Sequence, residues 1–154
     1  MTSEDRPKRI LAIDFGDRKT GVASTDWTGT IRIPLETIFA GDDETCARQI
    51  SSLVRERDTQ LLVAGLPLSL DGNEGPRAKR TRAFLEVLKR HVKVPIETVD
   101  ESHTTDEAHA RLKSMGIKAA RRHKIEDSMA ALIILERFLA NQPIDQPEPP
   151  EPEF

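Results

Sequence analysis

The sequence predicts an α/β domain. Its expected core is a mixed five-stranded sheet, in which an antiparallel three-strand meander is followed by parallel strands, with helices on both faces. Three observations predict it. Three short β-type runs separated only by turns open the chain between residues 9 and 38. From residue 43 the apolar residues switch to helical spacing and alternate with short apolar runs, the pattern of βα units. Gln60–Ala64 (QLLVA) is almost uninterruptedly apolar, as a strand covered on both faces must be.

Arg9–Phe15 (RILAIDF) is apolar and partly β-branched and closes at Gly16, so it reads as a buried strand. Thr20–Thr25 is a second strand, and Trp27-Thr28-Gly29 marks a turn. Thr30–Ile38 alternates as a third strand, with Pro34 placing it at an edge or bulge. Asp43–Arg57 is a helix: acids occupy its first turn, and Cys46, Ala47, Ile50, Leu53 and Val54 form an apolar stripe. After Gln60–Ala64, Gly65-Leu66-Pro67 opens a turn-rich loop that runs to Gly75. Pro76 sits where the first residue of a helix favours proline, and Ala83, Phe84, Val87 and Leu88 are expected on the buried side. Val94–Val99 is a further strand, Thr104–Met115 a short helix stopped by Gly116, and Ile125–Ala140 a last helix. The inward stripe of that helix is Ala130, Ala131, Ile134, Leu135 and Phe138. Right-handed crossovers bring the later strands beside the first.

Charge is unevenly spread. The net charge of −3 conceals thirteen Lys/Arg against six Asp/Glu between Arg77 and Lys124. Pro143–Phe154 holds four acids, five prolines and no base, a composition that cannot pack and is expected to be a disordered tail. Residues 1–8 are expected to be a flexible leader, 9–142 the folded domain and 143–154 the tail. A local basic field suits a polyanionic partner. Tyrosine is absent and aromatics are 4%, which speaks against base-stacking platforms. No apolar run approaches the roughly 20 residues of a membrane span. With one cysteine, no intramolecular disulfide is possible, and the expected compartment is the cytoplasm, with no membrane association.

Three carboxylates stand in unusual places. Asp14 ends the first strand, sharing a face with Ile10 and Ala12, while Leu11, Ile13 and Phe15 share the other. An acid on a buried central strand is costly unless paired or metal-bound. Asp100 and Glu101 close the Val94 strand, and parallel pairing would bring them to the edge where Asp14 emerges, the usual ligand edge of such sheets. Asp127 stands where the last helix should begin, at the head of its apolar stripe; a cap or dipole role is the alternative. Three acids aimed at one edge suit a hard, oxygen-seeking cation.

Four sets of motifs then match a known family in order and spacing. They are Ile13-Asp14-Phe15-Gly16 with Thr20-Gly21-Val22-Ala23; Gly65-Leu66-Pro67-Leu68 with Asp71-Gly72 and Gly75-Pro76; Val99-Asp100-Glu101 with Thr104-Thr105 and Glu107-Ala108; and Asp127-Ser128 with Ala130-Ala131 and Ile133-Ile134-Leu135. Together they resemble the YqgF/RuvX family over Arg9–Asn141. The resemblance implies an RNase H-like sheet and a nuclease. It implies that Asp14, Glu101 and Asp127 are catalytic and hold Mg²⁺ or Mn²⁺, as two ions, for phosphodiester hydrolysis. The implied task is processing of the 5′ end of pre-16S rRNA; the alternatives are resolution of four-way DNA junctions and a non-catalytic nucleic-acid-binding assembly role. The protein would be a monomer or a homodimer, a junction resolvase requiring the symmetric dimer. Gly16 allows a tight turn beside the acids, and Arg18 and Lys19 on that turn are candidate phosphate contacts. Ser69, Asn73 and Arg77 in the Gly65–Gly75 lip and after it, Arg80 near a helix start, Thr104, and a basic loop carrying Arg121, Arg122 and Lys124 complete the candidate nucleic-acid surface. The family's usual Arg-Leu after Asp-Glu is replaced here by Ser102-His103.

Overall fold

A computed structural model describes residues 7–69, 71–101, 110, 111, 113, 114 and 119–140, with backbone alone for 119–127. The expected leader (but for residues 7 and 8), the tail, Thr104 and most of the expected Thr104–Met115 helix lie outside these residues. In chain order the elements are β1 (Ile10–Asp14), β2 (Lys19–Thr25), β3 (Arg32–Pro34), β4 (Ile38–Phe39), α1 (Asp43–Glu56), β5 (Leu61–Leu66), α2 (Pro76–Lys89), β6 (Ile96–Asp100) and α3 (Ala119–Ala140).

The sheet runs β3-β2-β1-β5-β6, with β4 pairing β2 off this path. β1 meets β2 antiparallel, from Leu11 opposite Ser24 to Asp14 opposite Gly21. It meets β5 parallel, from Ile10 opposite Leu61 to Ile13 opposite Ala64. β5 and β6 are parallel as well, with Gly65 opposite Val99 and Leu66 opposite Asp100. The expected five-stranded mixed sheet is therefore the main path, and β4 is a sixth, two-residue strand.

Period-two alternation divides the core. Ile10, Ala12, Ala23, Leu61 and Val63 pack with Met129–Leu135 and Phe138 of α3. Leu11, Ile13, Phe15, Val22, Leu62 and Ala64 face the other way, toward Cys46, Ala47, Ile50 and Val54 of α1 and Phe84, Leu85 and Leu88 of α2. β1 and β5 are thus covered on both faces, which is why they carry so little polarity. Asp42 caps α1 by accepting from the Thr45 N–H at 2.7 Å. At the amino end of β1, Gln60 Oε1 accepts from the Lys8 and Arg9 N–H groups, and Thr25 Oγ1 accepts from the Ile10 N–H. These side chains satisfy backbone groups that the sheet ladder leaves over.

Four expectations need correction. The third strand is not continuous over Thr30–Ile38. Pro34 has no N–H to extend the ladder, so β3 ends there; the Leu35 N–H donates to Val22 O at 2.8 Å, and the chain rejoins β2 only at Ile38 and Phe39. β5 runs on through Gly65 and Leu66, so Gly65 belongs to a strand and not to a loop. The buried side of α2 is Ala78, Thr81, Phe84, Leu85 and Leu88, while Ala83 is exposed. α3 starts at Ala119 rather than Ile125. The apolar stripe begins near Ile125, but Ala119 through Lys124 are good helix formers and extend the helix without needing to be buried.

Phe84 is fully buried and stacks on Phe15 with ring centroids 4.1 Å apart. Phe84→Ala should lower unfolding free energy by about 3–5 kcal/mol. Trp27→Ala, at a side chain 77% exposed, should change it by no more than about 0.5 kcal/mol. Urea unfolding of the two variants checks the contrast.

Candidate active site

The carboxyl ends of β1, β5 and β6 lie along one edge. Asp14, the last residue of β1, follows Ile10 and Ala12 onto the α3 face and is half-buried. Glu101 follows directly on β6; its N–H donates to Leu66 O at 3.2 Å, extending the parallel ladder by one step. Asp100 is exposed and Glu101 buried, at 9% exposure. Alternation at the end of β6 thus turns Glu101 inward, where its carboxyl hydrogen-bonds that of Asp14.

Two acids side by side in a buried place cannot both ionise cheaply. Burial first, then the hydrogen bond to Asp14 and its charge, push the Glu101 carboxyl up to about 9; the nearby Arg77 guanidinium pulls the other way. Metal-free Glu101 therefore holds its proton at neutral pH and donates it to Asp14.

Asp127 lies inside α3, well past its first residue, so it does not cap the helix. Its side chain lies outside the described residues. The next residue, Ser128, is fully buried and locks this turn to the sheet: its Oγ accepts from the Val22 N–H at 3.3 Å and lies 3.3 Å from Thr37 Oγ1. Val22 pairs with Ile13, the neighbour of Asp14, so the helix turn next to Asp127 is tied to β2 one residue from the level of Asp14. Among the described residues no group of three His, Cys, Asp or Glu side chains comes together.

The candidate phosphate contacts fare unequally. Arg18 and Lys19 are exposed on the β1–β2 turn. Gly16 is required by that turn, because a Cβ there would lie 2.5 Å from Lys19 O. Arg77, exposed on the first turn of α2, is close enough to act on Glu101. Ser69 and Asn73 are turned on one another: Ser69 Oγ donates to Asp71 at 2.5 Å and lies 2.7 Å from Asn73 O, and Asn73 Nδ2 donates to Asp71 at 3.0 Å. Their side chains hold the loop in shape.

Arg80 is likewise engaged within the protein. Its guanidinium donates to both Asp43 oxygens at 2.9 and 2.7 Å and to Asp17 at 3.0 Å, and it lies over the Phe15 ring, 5.0 Å from the centroid. It ties the β1–β2 turn to α1 and α2. A signal for this was present in the sequence, since a cation near a helix start opposes the helix dipole and so needs a carboxylate partner. Arg121, Arg122 and Lys124 belong to the first two turns of α3, not to a loop, and their side chains lie outside the described residues. Gly65 and Ser128 are site-building residues that the motif reading left without a role. A glycine within a strand is itself a sign of close approach by another group.

The order β3-β2-β1-β5-β6, with two acids meeting at the carboxyl edge, is an RNase H-like arrangement. RuvC of T. thermophilus, solved in complex with a Holliday junction substrate, shares the fold with a TM-score of 0.53 at 15% identity, over 88% of this chain and 96% of RuvC. The chain belongs to the RuvX family: the model described as "RuvX: Holliday junction resolvase" matches residues 8–141. Among its relatives are proteins named "Putative pre-16S rRNA nuclease". The one from Pelotomaculum thermopropionicum is 41% identical, over 87% of this chain and 88% of the relative. The one from Streptomyces avermitilis is 38% identical over 95% and 94%, and the one from Roseiflexus sp. 39% over 92% and 99%.

The raised Glu101 carboxyl makes metal-free stability depend on pH. Between the ordinary value of 4.5 and about 9 the folded state binds a proton that the unfolded state has lost, so stability falls as pH rises through that window. In a metal-free buffer, wild type should lose unfolding free energy from about pH 5 to about pH 9, and Glu101→Gln should give a flatter curve. Denaturant titrations across the window measure both; parallel curves would contradict the assignment.

Proposed function

We propose that this chain is a divalent-metal-dependent nuclease whose reaction centre lies where Asp14 and Glu101 meet, and that it processes the 5′ end of pre-16S rRNA in ribosome biogenesis. Membership of the RuvX family makes it a nucleic-acid hydrolase. The metal and the substrate are the parts proposed.

The observation that carries the reading is the buried Asp14–Glu101 pair. Its chemistry fits a hard cation: both groups are oxygen donors, they are crowded, and a bound positive charge would offset the burial penalty and the repulsion that now keep Glu101 protonated. Asp127, next in the chain to the buried Ser128 that bonds to β2, is proposed as the third ligand. Asp14, Glu101 and Asp127 would hold Mg²⁺ or Mn²⁺, as a pair of ions, and the chemistry they would supply is an activated water and neutralisation of the leaving oxygen in phosphodiester hydrolysis. Arg77, at the same edge, is proposed to hold a substrate phosphate, and Arg18 and Lys19 the strand beside it. Thr104, Arg121, Arg122 and Lys124 remain candidates for the same surface.

The pre-16S rRNA reading is supported by the names of relatives that match this chain over nearly its whole length. The family description favours a second reading, a resolvase acting on four-way DNA junctions. The acids serve either. A resolvase would act as a homodimer, whereas an RNA-trimming enzyme can act as a monomer. A ribosome-maturation role would place the protein in the cytoplasm. Among the described residues no helix is long and apolar enough to cross a membrane.

Matched substrates test the proposal: a structured precursor-rRNA 5′ end and a four-way DNA junction, each with Mg²⁺ or Mn²⁺. RNA cleavage should require the metal and fall by about 100-fold or more in Asp14→Asn, since even indirect partners of metal ligands are worth about 10–100-fold. Symmetric junction cuts without RNA cleavage would select the resolvase. Binding of either substrate with no cleavage by wild type would overturn the catalytic reading.

A further inference from the structure

We propose that Gly65 is a positioning residue for Glu101. The absence of a side chain at this one position on the middle strand lets the carboxylate of β6 cross to Asp14. The inference rests on the reading that Asp14 and Glu101 together hold the cation.

Asp14 and Glu101 are not on neighbouring strands. β1 and β6 flank β5, and strands lie about 4.8 Å apart, so the backbones of β1 and β6 are about 10 Å apart. A direct hydrogen bond between the two carboxyls therefore requires a side chain to pass over β5. Register fixes where. Ile13 lies opposite Ala64 and Leu66 opposite Asp100, so Gly65 is the residue of β5 between the two acids. Alternation fixes the face. Val63, two residues earlier, packs against α3 together with Ala12, so a side chain at Gly65 would rise on the same face as Asp14.

The space that side chain would need is already filled. A Cβ at Gly65 would meet Ile134 Cδ1 in hard overlap, Glu101 Oε2 at 2.8 Å and Glu101 Cβ at 3.0 Å. The backbone of Glu101 is held by its bond to Leu66 O, so its carboxylate is what must yield on that side. The backbone of Gly65 itself demands nothing special, since among the described glycines positive φ is confined to Gly29 and Gly72. Gly65 is needed for what passes over it.

Two neighbours would be disturbed by Gly65→Ala, and separating them is the test. Ile134→Val removes Cδ1 and relieves the packing overlap, leaving Glu101 as the only group displaced. The full-length protein would be prepared as wild type, Ile134→Val, Gly65→Ala and Gly65→Ala/Ile134→Val. Mn²⁺ binding would be followed by calorimetry and by the electron paramagnetic resonance signal of free ion, and stability by thermal unfolding without metal. Ile134→Val should bind Mn²⁺ as wild type does. The double variant should regain much of the melting temperature lost in Gly65→Ala, yet bind Mn²⁺ about 10–100-fold more weakly than wild type. A double variant that binds Mn²⁺ like wild type overturns the proposal, since Gly65 would then serve core packing against Ile134. If Gly65→Ala/Ile134→Val fails to fold, the same pair is placed in Glu101→Ala. Tolerance there supports the contact with Glu101, and failure there as well overturns it. Wild type that binds no Mn²⁺ would sink the metal-site reading itself, and the inference with it, a result distinct from any failure of the variants.

Discussion

Two carboxyl groups are pressed together at the edge of a sheet whose two central strands, β1 and β5, carry no other charge, and several features of the architecture keep them there. Like charges in a low-dielectric place repel, and burial penalises each of them separately. Asp14 and Glu101 meet nonetheless, at the cost of a proton retained on Glu101. Such an arrangement persists only when the surroundings leave no easier alternative. Here the surroundings are the parallel ladder that fixes Glu101 through Leu66, the bare position at Gly65, and the helix wall of α3.

The two ends of the sheet behave differently. At the amino end of β1, backbone groups are closed off by Gln60 and Thr25, and Arg9 is paired with Asp58 at 3.3 Å. At the carboxyl end, Arg80 performs a comparable task for the β1–β2 turn by joining Asp17, Asp43 and the Phe15 ring. Arg80 is therefore better understood as scaffold than as a phosphate clamp. Among the described residues, Arg18 and Lys19 on the β1–β2 turn and Arg77 at the start of α2 are exposed cations near this edge. Two acids meeting beside exposed cations suit the proposed reaction, in which positioning a phosphate would do much of the chemistry.

Much of this was legible in the sequence, because alternation and helical spacing report burial directly. The split of Ile10, Ala12 and Asp14 from Leu11, Ile13 and Phe15 is the split between the two halves of the core. Of Asp100 and Glu101, the one the family resemblance implies, Glu101, is the one that turns inward. What was not legible depends on contacts between distant segments. Residues 119–124 show no apolar stripe, so periodicity dated the start of α3 too late. Ser69 and Asn73 are polar in a loop, which looks the same whether they face a ligand or one another. The role proposed for Gly65 appears only when β1, β5, β6 and α3 are assembled, since Glu101 and Ile134, which a Cβ there would meet, are both remote in sequence. Asp127 was singled out for being an acid at the head of an apolar stripe; its backbone position, next to the buried Ser128, is the part the structure adds.

The account stands on a cation bridging Asp14 and Glu101. The most direct measurement is a crystal of wild type soaked in Mn²⁺ and recorded at the manganese absorption edge. Anomalous density within coordinating distance of both carboxylates, with Asp127 as a further ligand, is the predicted result. Density confined to other sites, with Asp14 and Glu101 still sharing a hydrogen bond, would contradict it.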